Sequence, residues 1–264
     1  MYIHNLDPIL VDIGFISIRW YSLSYIIGIL LGWWLSLKIL NFIKFSSTNL
    51  NIYQKEFENL VSFIILGIII GGRVGYIFFY NFLYYFNNPI EIFKIWEGGM
   101  SFHGALIGII IATCYFAKIK KLKPLIFLDL IACVSPIGLF FGRIANFING
   151  ELYGKPSEVF WAVIFPAVDN IPRHPSQLYE AFSEGVLLFI ILIIVITRKN
   201  YKSGFCSFLF LILYSLFRFI SEQFREPDVH LGYFFNFLSM GSILSIAMFI
   251  SGFLLILINK KNEI

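Results

Sequence analysis

The chain has 264 residues, of which 58% are hydrophobic and only 14% are charged. A soluble domain usually carries about 25% charged residues, so this composition indicates an integral membrane protein and argues against a soluble globular one. The net charge of +4 is modest, and no block of basic residues points to nucleic acid as a partner.

Seven apolar segments are long enough to cross a bilayer, since a spanning helix needs about 20 mostly apolar residues. In chain order they are 17–37, 60–80, 100–119, 125–146, 177–197, 204–224 and 233–258. They predict an all-α polytopic membrane protein with seven transmembrane helices, folded as a single integral membrane domain over residues 1–264. The Tyr-, Phe- and Trp-rich segment 81–99 is typical of a helix at the headgroup level. The longest connection, 147–176, predicts a small extracytoplasmic cap.

The distribution of lysine and arginine predicts the orientation of these spans. Twelve basic residues follow the first, third, fifth and seventh spans, whereas five lie on the other side. We therefore expect the N-terminus outside and the C-terminus in the cytoplasm. No positively charged region precedes the first apolar stretch, so the N-terminus does not resemble a cleavable signal peptide.

In this orientation, polar side chains gather at the outer-leaflet ends of the spans. An arginine near the bilayer centre costs at least ~2.5 kcal/mol, so it is usually retained for pairing or function. The alternative is that residues near helix ends extend to water, which explains Arg73 equally well. The set comprises Arg73, Arg143, Arg218, Tyr21, Tyr25, His103, Gln177, Tyr179 and Glu180.

The motif "YSLFRFISE" places Tyr214, Arg218 and Glu222 at i, i+4 and i+8, which is one stripe of a helix. Glu222 can hold the Arg218 guanidinium while the free edge of that guanidinium faces a ligand. The alternative is an ion pair between helices with a purely structural role.

The motif "GRIANFINGELYG" places Arg143 and Asn146 on one helix face at i, i+3, followed by Glu151 and Gly154 in a turn. Arginine offers bidentate hydrogen bonds to phosphate or carboxylate. If Arg143 and Arg218 converge, two cations need an anion, and the commonest anion at the outer leaflet is a phospholipid phosphate. The alternative is a polar helix end with a turn.

The motif "GMSFHGALIG" places His103 at the outer mouth of the third span, where a neutral imidazole can accept a proton near pH 7. The alternative is a histidine that faces headgroups and has no chemistry. The neighbouring glycines let another backbone approach closely. The second span carries a glycine face of its own at four-residue spacing, formed by Gly67, Gly71 and Gly75.

Two further features are interpreted as structural. In "RHPSQLYEA", Ser176 fits the N-cap of the fifth span, with Pro175 before it. The cysteines Cys114, Cys133 and Cys206 lie apart inside apolar segments, so we expect buried apolar residues rather than disulfide or metal partners.

Six motifs in order resemble the prolipoprotein diacylglyceryl transferase family over most of the chain. "GRIANFINGELYG" is similar to the family signature G-R-x-x-N-F-x-N-x-E-x-x-G. The others are "IRWYSLSY", "GGRVGYIFFYN", "WEGGMSFHGALIG", "RHPSQLYEA" and "YSLFRFISEQFREPD". One departure is Ala105, where the family usually has a second glycine after the histidine.

The resemblance implies an enzyme of the bacterial plasma (inner) membrane with its active site facing the outer leaflet. It moves the diacylglyceryl group of phosphatidylglycerol to the lipobox cysteine thiol of a preprolipoprotein signal peptide. A thioether forms and glycerol phosphate is released, in the first step of lipoprotein maturation. The family needs no metal or organic cofactor.

The hypothetical site built on this resemblance has catalytic and substrate-binding members. Arg143 and Arg218 hold the phosphate, and His103 is the leading base for the thiol. The alternative is a thiolate that forms near the cationic site without a dedicated base. The remaining members are Asn146 and Tyr25, which orient the headgroup, Glu151 and Glu222, which position the arginines, Tyr214, and Gly154 as a backbone requirement. Because the nucleophile belongs to the substrate, the chain's own cysteines should be dispensable.

Two other classes of protein are alternatives to an enzyme. A transporter or flippase for an anionic lipid should show polar residues that continue to the cytoplasmic side, yet the inner halves of these spans are mainly Ile, Leu and Phe. A scaffold protein would need no convergent set of His, Arg and Tyr.

Overall fold

The computed structural model describes residues 2–14, 17–42, 50–198, 201–227 and 238–261. Within these ranges seven helices are long and apolar enough to cross a membrane, which confirms the predicted all-α, seven-span class. They are Trp20–Phe42, Asn51–Tyr80, Phe102–Lys120, Pro124–Ile148, Ser176–Ile196, Phe205–Glu222 and Met240–Asn259. The direction in which they cross the membrane stays a prediction.

Several helix boundaries differ from the predicted ones. The N-terminal residues form three short strands, β1 (Tyr2–Ile3), β2 (Ile9–Asp12) and β3 (Ser17–Arg19). Because β3 pairs with β2, helix α1 begins only at Trp20 and ends at Phe42. Helix α2 (Leu50–Tyr80) begins well before residue 60, because polar residues in its first turns do not interrupt a helix. The predicted start of the seventh span, residue 233, lies outside the described residues, and helix α9 spans Met240–Lys261.

The contacts divide the chain into two compact units, residues 44–128 and residues 1–43 with 129–264. The smaller unit pairs α2 with α4 (Phe102–Lys120) through facing glycines. A Cβ atom on Gly67 would lie 2.7 Å from the Gly108 carbonyl oxygen, and one on Gly71 would lie 2.8 Å from the Gly108 Cα atom. The predicted glycine face is therefore confirmed as the contact between the two helices.

Arg73 of the smaller unit organises the segment between α2 and α4. This segment forms helix α3 (Phe82–Asn87) and two 3₁₀ turns, Pro89–Phe93 and Ile95–Glu97, rather than one interfacial helix. The buried Arg73 guanidinium lies 4.9 Å from the Tyr85 ring centroid. It donates hydrogen bonds of 2.5–3.2 Å to the carbonyl oxygens of Ile92, Gly98, Gly99, Glu91 and Lys94. Arg73 is thus a loop clamp and does not extend to water.

The larger unit contains α5 (Pro124–Ile148) from Asp129 onward, α8 (Phe205–Glu222), α9 and a composite span. That span consists of α6 (Ser176–Glu180), a π-helical stretch (Ala181–Leu187) and α7 (Leu188–Ile196). The start of α8 is capped from α5 by the fully buried Asp129, which accepts hydrogen bonds from the Ser207 amide at 2.8 Å and hydroxyl at 2.6 Å.

The cysteines follow the prediction only in part. Cys133 and Cys206 are buried, but Cys114 is exposed on α4. The expectation of a buried Cys114 was wrong because an apolar side chain on a membrane span can face lipid as well as protein.

The segment predicted to form a cap contains two short strands and an ionic cluster. Strand β4 (Val163–Ile164) pairs in parallel with β1 and antiparallel with β5 (Pro172–Arg173). Arg173 forms ion pairs with Asp169 at 2.5 Å and with Glu226 at 3.2 Å. The hydrogen bond from Arg173 lowers the pKa of Asp169, and burial lowers the pKa of His174. The side of the membrane that this segment faces stays a prediction.

The Arg73 clamp yields a test by hydrogen exchange. We expect Arg73→Lys to raise amide exchange in residues 88–99 by at least about tenfold, because one ammonium group cannot reach five carbonyls and charge-assisted hydrogen bonds are worth about 1.5–3 kcal/mol each. Arg19→Lys, the same change in exposed strand β3, is the control. Unchanged protection of residues 88–99 would show that Arg73 is not their clamp.

Candidate active site

Arg143 of α5 and Arg218 of α8 converge on one carboxylate, that of Glu180 at the end of α6. The Arg143 Nη1 atom lies 2.8 Å from Glu180 Oε2, and the Arg218 Nη1 atom lies 2.9 Å from Glu180 Oε1. Each carboxylate oxygen therefore holds a different guanidinium. The two arginines are neighbours, as the phosphate-binding hypothesis requires.

A second carboxylate of the same span, Glu184, also lies between the two arginines. Its Oε2 atom is 3.1 Å from Arg143 Nη2, and its Oε1 atom is 3.7 Å from Arg218 Nη1. Both Glu180 and Glu184 are fully buried, whereas the Arg143 side chain keeps 14% of its surface exposed. Arg143 is therefore more exposed than Arg218, of which 8% is exposed, or either glutamate.

Glu222 holds the other edge of the Arg218 guanidinium, as predicted from their i, i+4 spacing. The distance from Arg218 Nη2 to Glu222 Oε2 is 2.7 Å. The Ser239 hydroxyl, just before α9, donates to Glu222 Oε1 at 2.9 Å. Tyr214 shares this buried face of α8 and stacks on Phe210. The predicted stripe of Tyr214, Arg218 and Glu222 therefore lines the protein interior.

The π-helical stretch explains how the chain brings these groups together. It places Glu180 at its start and Glu184 within it, and π-helical turns occur frequently at functional sites. Its Gly185 allows α5 to approach closely, since a Cβ atom there would lie 2.7 Å from the Cβ atom of Phe140. Phe140 is one turn before Arg143, so this contact aligns Arg143 with the two glutamates.

The internal carboxylates correct one step of the sequence argument. Two convergent arginines were expected to need an external anion, but Glu180, Glu184 and Glu222 already supply three negative charges. Arg225, three residues after Glu222, is buried and within electrostatic reach of Glu180 and Glu222. The charges of the site are thus balanced by the protein itself.

Glu151 does not position the arginines, contrary to expectation. Its Oε1 atom accepts a hydrogen bond of 2.8 Å from Asn146 Nδ2. The reason is local, because the chain turns back after α5 and returns Glu151 to the helix end that carries Asn146. Asn146 itself is buried at this helix end.

Gly154 lies where no side chain fits. Its amide donates to the His174 carbonyl at 3.0 Å, and a Cβ atom would lie 2.7 Å from both the His174 Cβ atom and the Phe224 carbonyl oxygen. The close approach of these two chain segments accounts for a glycine at this position.

The motif around Ser176 supports the same turn. Pro175 rather than Ser176 is the N-cap, which corrects the prediction. The Ser176 hydroxyl donates to the Leu152 carbonyl at 3.0 Å, and Gln177 Nε2 donates to the Glu151 carbonyl at 2.6 Å. These side chains bond to the neighbouring turn instead of capping their own helix.

Two further predicted site residues lie on other elements. Tyr25 of α1 is 54% exposed, and its hydroxyl donates to the Tyr21 hydroxyl at 3.2 Å. His103 lies in the first turn of α4 in the smaller unit, with its ring edge-to-face against Phe102. The roles of Tyr25 and His103 toward a substrate stay predictions.

The site also contains a residue that the sequence argument missed. The sequence pattern marks Glu180 only as an unusual polar residue and gives Glu184 no role. Their i, i+4 spacing within an apolar span is a usable signal, because buried carboxylates need cations. Within the described ranges, no group of three His, Cys, Asp or Glu residues is arranged to hold a metal ion.

The seven candidate spans define a multi-pass membrane protein, and its arginines and glutamates cluster within these spans. The family model described as prolipoprotein diacylglyceryl transferase matches residues 8–258, and the chain belongs to this family. The predicted family and transferase class are confirmed.

Two similar proteins bear the name phosphatidylglycerol–prolipoprotein diacylglyceryl transferase. That of Rickettsia bellii (strain OSU 85-389) is 53% identical over 255 residues, which cover 96% of this chain and 95% of the relative. That of Rickettsia typhi (strain ATCC VR-144 / Wilmington) is 51% identical over 264 residues, which cover 99% and 100%. The likeness therefore extends over nearly the whole of both chains.

Proposed function

We propose that the chain transfers the diacylglyceryl group of phosphatidylglycerol to the lipobox cysteine thiol of a preprolipoprotein signal peptide. The relatives' names specify the lipid and the prolipoprotein. In this chain, the paired arginines are the observation that supports binding of the lipid phosphate. Arg143 and Arg218 share Glu180 inside membrane spans, where a lipid phosphate is the anion at hand. The proposed location is the bacterial plasma membrane with the site toward the outer leaflet, as the lysine and arginine distribution indicates.

The reaction forms one bond and breaks one. The cysteine sulfur attacks the glyceryl carbon, the bond from that carbon to the phosphate oxygen breaks, and glycerol phosphate leaves with the electron pair. The thiol proton is lost, and negative charge grows on the leaving phosphate. The guanidiniums of Arg143 and Arg218 stabilise this charge, which is the usual role of donors aimed at a developing anion.

Binding of the phosphate requires an exchange of partners. In the structure the arginine donors face Glu180, Glu184 and Glu222. A phosphate in the same place replaces some of these contacts with bidentate arginine–phosphate hydrogen bonds. Arg143 is the more exposed of the two and meets the phosphate first. Asn146 and Tyr25 orient the headgroup in this scheme.

The arginine roles are tested by alanine substitution. We expect Arg143→Ala and Arg218→Ala each to lower kcat about 10²–10³-fold, because removing one electrostatic donor costs about 2.7–4 kcal/mol of transition-state stabilisation. The measurement is transfer in vitro with purified protein, phosphatidylglycerol and a lipobox peptide. Near-normal transfer by Arg143→Ala would contradict the phosphate-binding role.

The cysteines provide a matched control for that assay. A variant with Cys114, Cys133 and Cys206 all changed to alanine should retain transfer, because the nucleophile belongs to the peptide. Cys133 and Cys206 are buried, so correct folding is verified by size-exclusion chromatography. A folded variant without transfer would contradict the scheme.

His103 is the proposed base for the thiol. We expect His103→Asn to lower kcat about 10²–10⁴-fold with little change in KM, because general bases contribute by that factor. The variant should also show a changed pH dependence of kcat, because the proton acceptor has been removed. An unchanged kcat and pH profile would instead support a thiolate that forms beside the cationic site without a dedicated base.

A further inference from the structure

We infer that Glu184 takes up a proton when the anionic headgroup enters the Arg143–Arg218 site. Glu184 would then be a positioning residue whose negative charge is exchanged for that of the phosphate. This inference rests on the proposed function, since it concerns the same site, but it assigns a role that the transfer reaction alone does not require.

Without substrate, the site is balanced in charge. The cluster holds equal numbers of carboxylates and guanidiniums, namely Glu180, Glu184, Glu222, Arg143, Arg218 and Arg225. A phosphodiester adds one negative charge to this balanced set. An uncompensated charge buried in a low-dielectric site is costly. Uptake of one proton restores the balance.

The ion-pair distances identify the carboxylate whose protonation costs the least electrostatic stabilisation. Glu180 bridges both arginines at 2.8 and 2.9 Å. Glu222 pairs with Arg218 at 2.7 Å and accepts from Ser239. Glu184 has longer contacts, at 3.1 Å to Arg143 and 3.7 Å to Arg218. Glu184 is therefore the least firmly held negative charge.

The groups that face Glu184 leave it as a suitable proton acceptor. Arg143 approaches from α5, Arg218 and the Tyr214 phenol from α8, and Glu180 from the same span. Arginine stays protonated in proteins, and a neutral phenol does not accept a proton at neutral pH. Protonation of Glu184 also frees the Arg143 Nη2 donor that Glu184 holds. That donor is then available to the phosphate.

The test measures protons taken up when phosphatidylglycerol binds to the purified full-length protein in neutral detergent without peptide. Titration calorimetry in two buffers with different protonation enthalpies gives the proton number. We expect about one proton per lipid for the wild type, and an affinity that weakens by up to about tenfold per pH unit as pH rises. Glu184→Gln should bind with no proton uptake and with an affinity that does not vary with pH.

A matched control separates Glu184 from carboxylates in general. Glu226→Gln changes a more exposed carboxylate that pairs with Arg173 outside the cluster, and it should keep the wild-type proton uptake. Unchanged uptake in Glu184→Gln would overturn the inference while leaving the proposed function intact. A wild type that neither binds phosphatidylglycerol nor transfers it would instead refute the proposed function.

A second measurement applies if Glu184→Gln does not fold. Infrared difference spectra of the wild type should then gain one protonated carboxyl band when phosphatidylglycerol is added. Binding without this band and without proton uptake would overturn the inference. Glu184→Asp, which keeps the carboxylate, should retain both signals.

Discussion

The site depends on the Glu180 carboxylate that Arg143 and Arg218 share. An arginine inside a membrane span costs at least ~2.5 kcal/mol, and two adjacent guanidiniums also repel each other. One carboxylate with an oxygen on each guanidinium removes both penalties. Loss of such a buried partner typically costs about 3–5 kcal/mol, because the remaining charge is left uncompensated.

The packing around this interaction serves to align its members. Gly185 lets α5 approach the π-helical stretch next to Arg143, and Ser239 at the start of α9 fixes Glu222 against Arg218. The result is a group of charges that is balanced without substrate, with Arg143 more exposed than Arg218, Glu180, Glu184 or Glu222. Balanced charge makes the site stable in an apolar setting, and we propose that the exchange of a carboxylate for a phosphate lets it bind an anionic lipid.

The sequence predicts same-helix relationships far better than contacts between helices. The stripe of Tyr214, Arg218 and Glu222 follows from helix periodicity alone, as does the glycine face of α2. The partners of Arg143 did not follow, because Glu180 and Glu184 meet it only after two helices pack. The carbonyl partners of Arg73 could not be predicted from the sequence either. Every residue has a carbonyl group, and nothing in the sequence pattern indicates which ones point toward the guanidinium.

The start of helix α1 and the partner of Glu151 also depend on contacts that the sequence pattern does not reveal. Ser17–Arg19 forms strand β3 because it pairs with β2, a partner that apolar run length does not reveal. Glu151 was assigned to the arginines because it is acidic and close in sequence, but the turn after α5 directs it to Asn146. Local chemistry thus pointed to Arg143, Arg218 and Glu222, while their partners Glu180 and Glu184 required the folded chain.

We propose above that Arg143 and Arg218 together bind the phosphate of a lipid headgroup. An experimental structure of the protein with phosphatidylglycerol bound tests it most directly. The account predicts phosphate oxygens within about 2.7–3.2 Å of donors on both guanidiniums, with the contact from Arg143 to Glu184 lengthened or lost. A headgroup bound elsewhere, with every arginine–glutamate contact intact, would contradict the account.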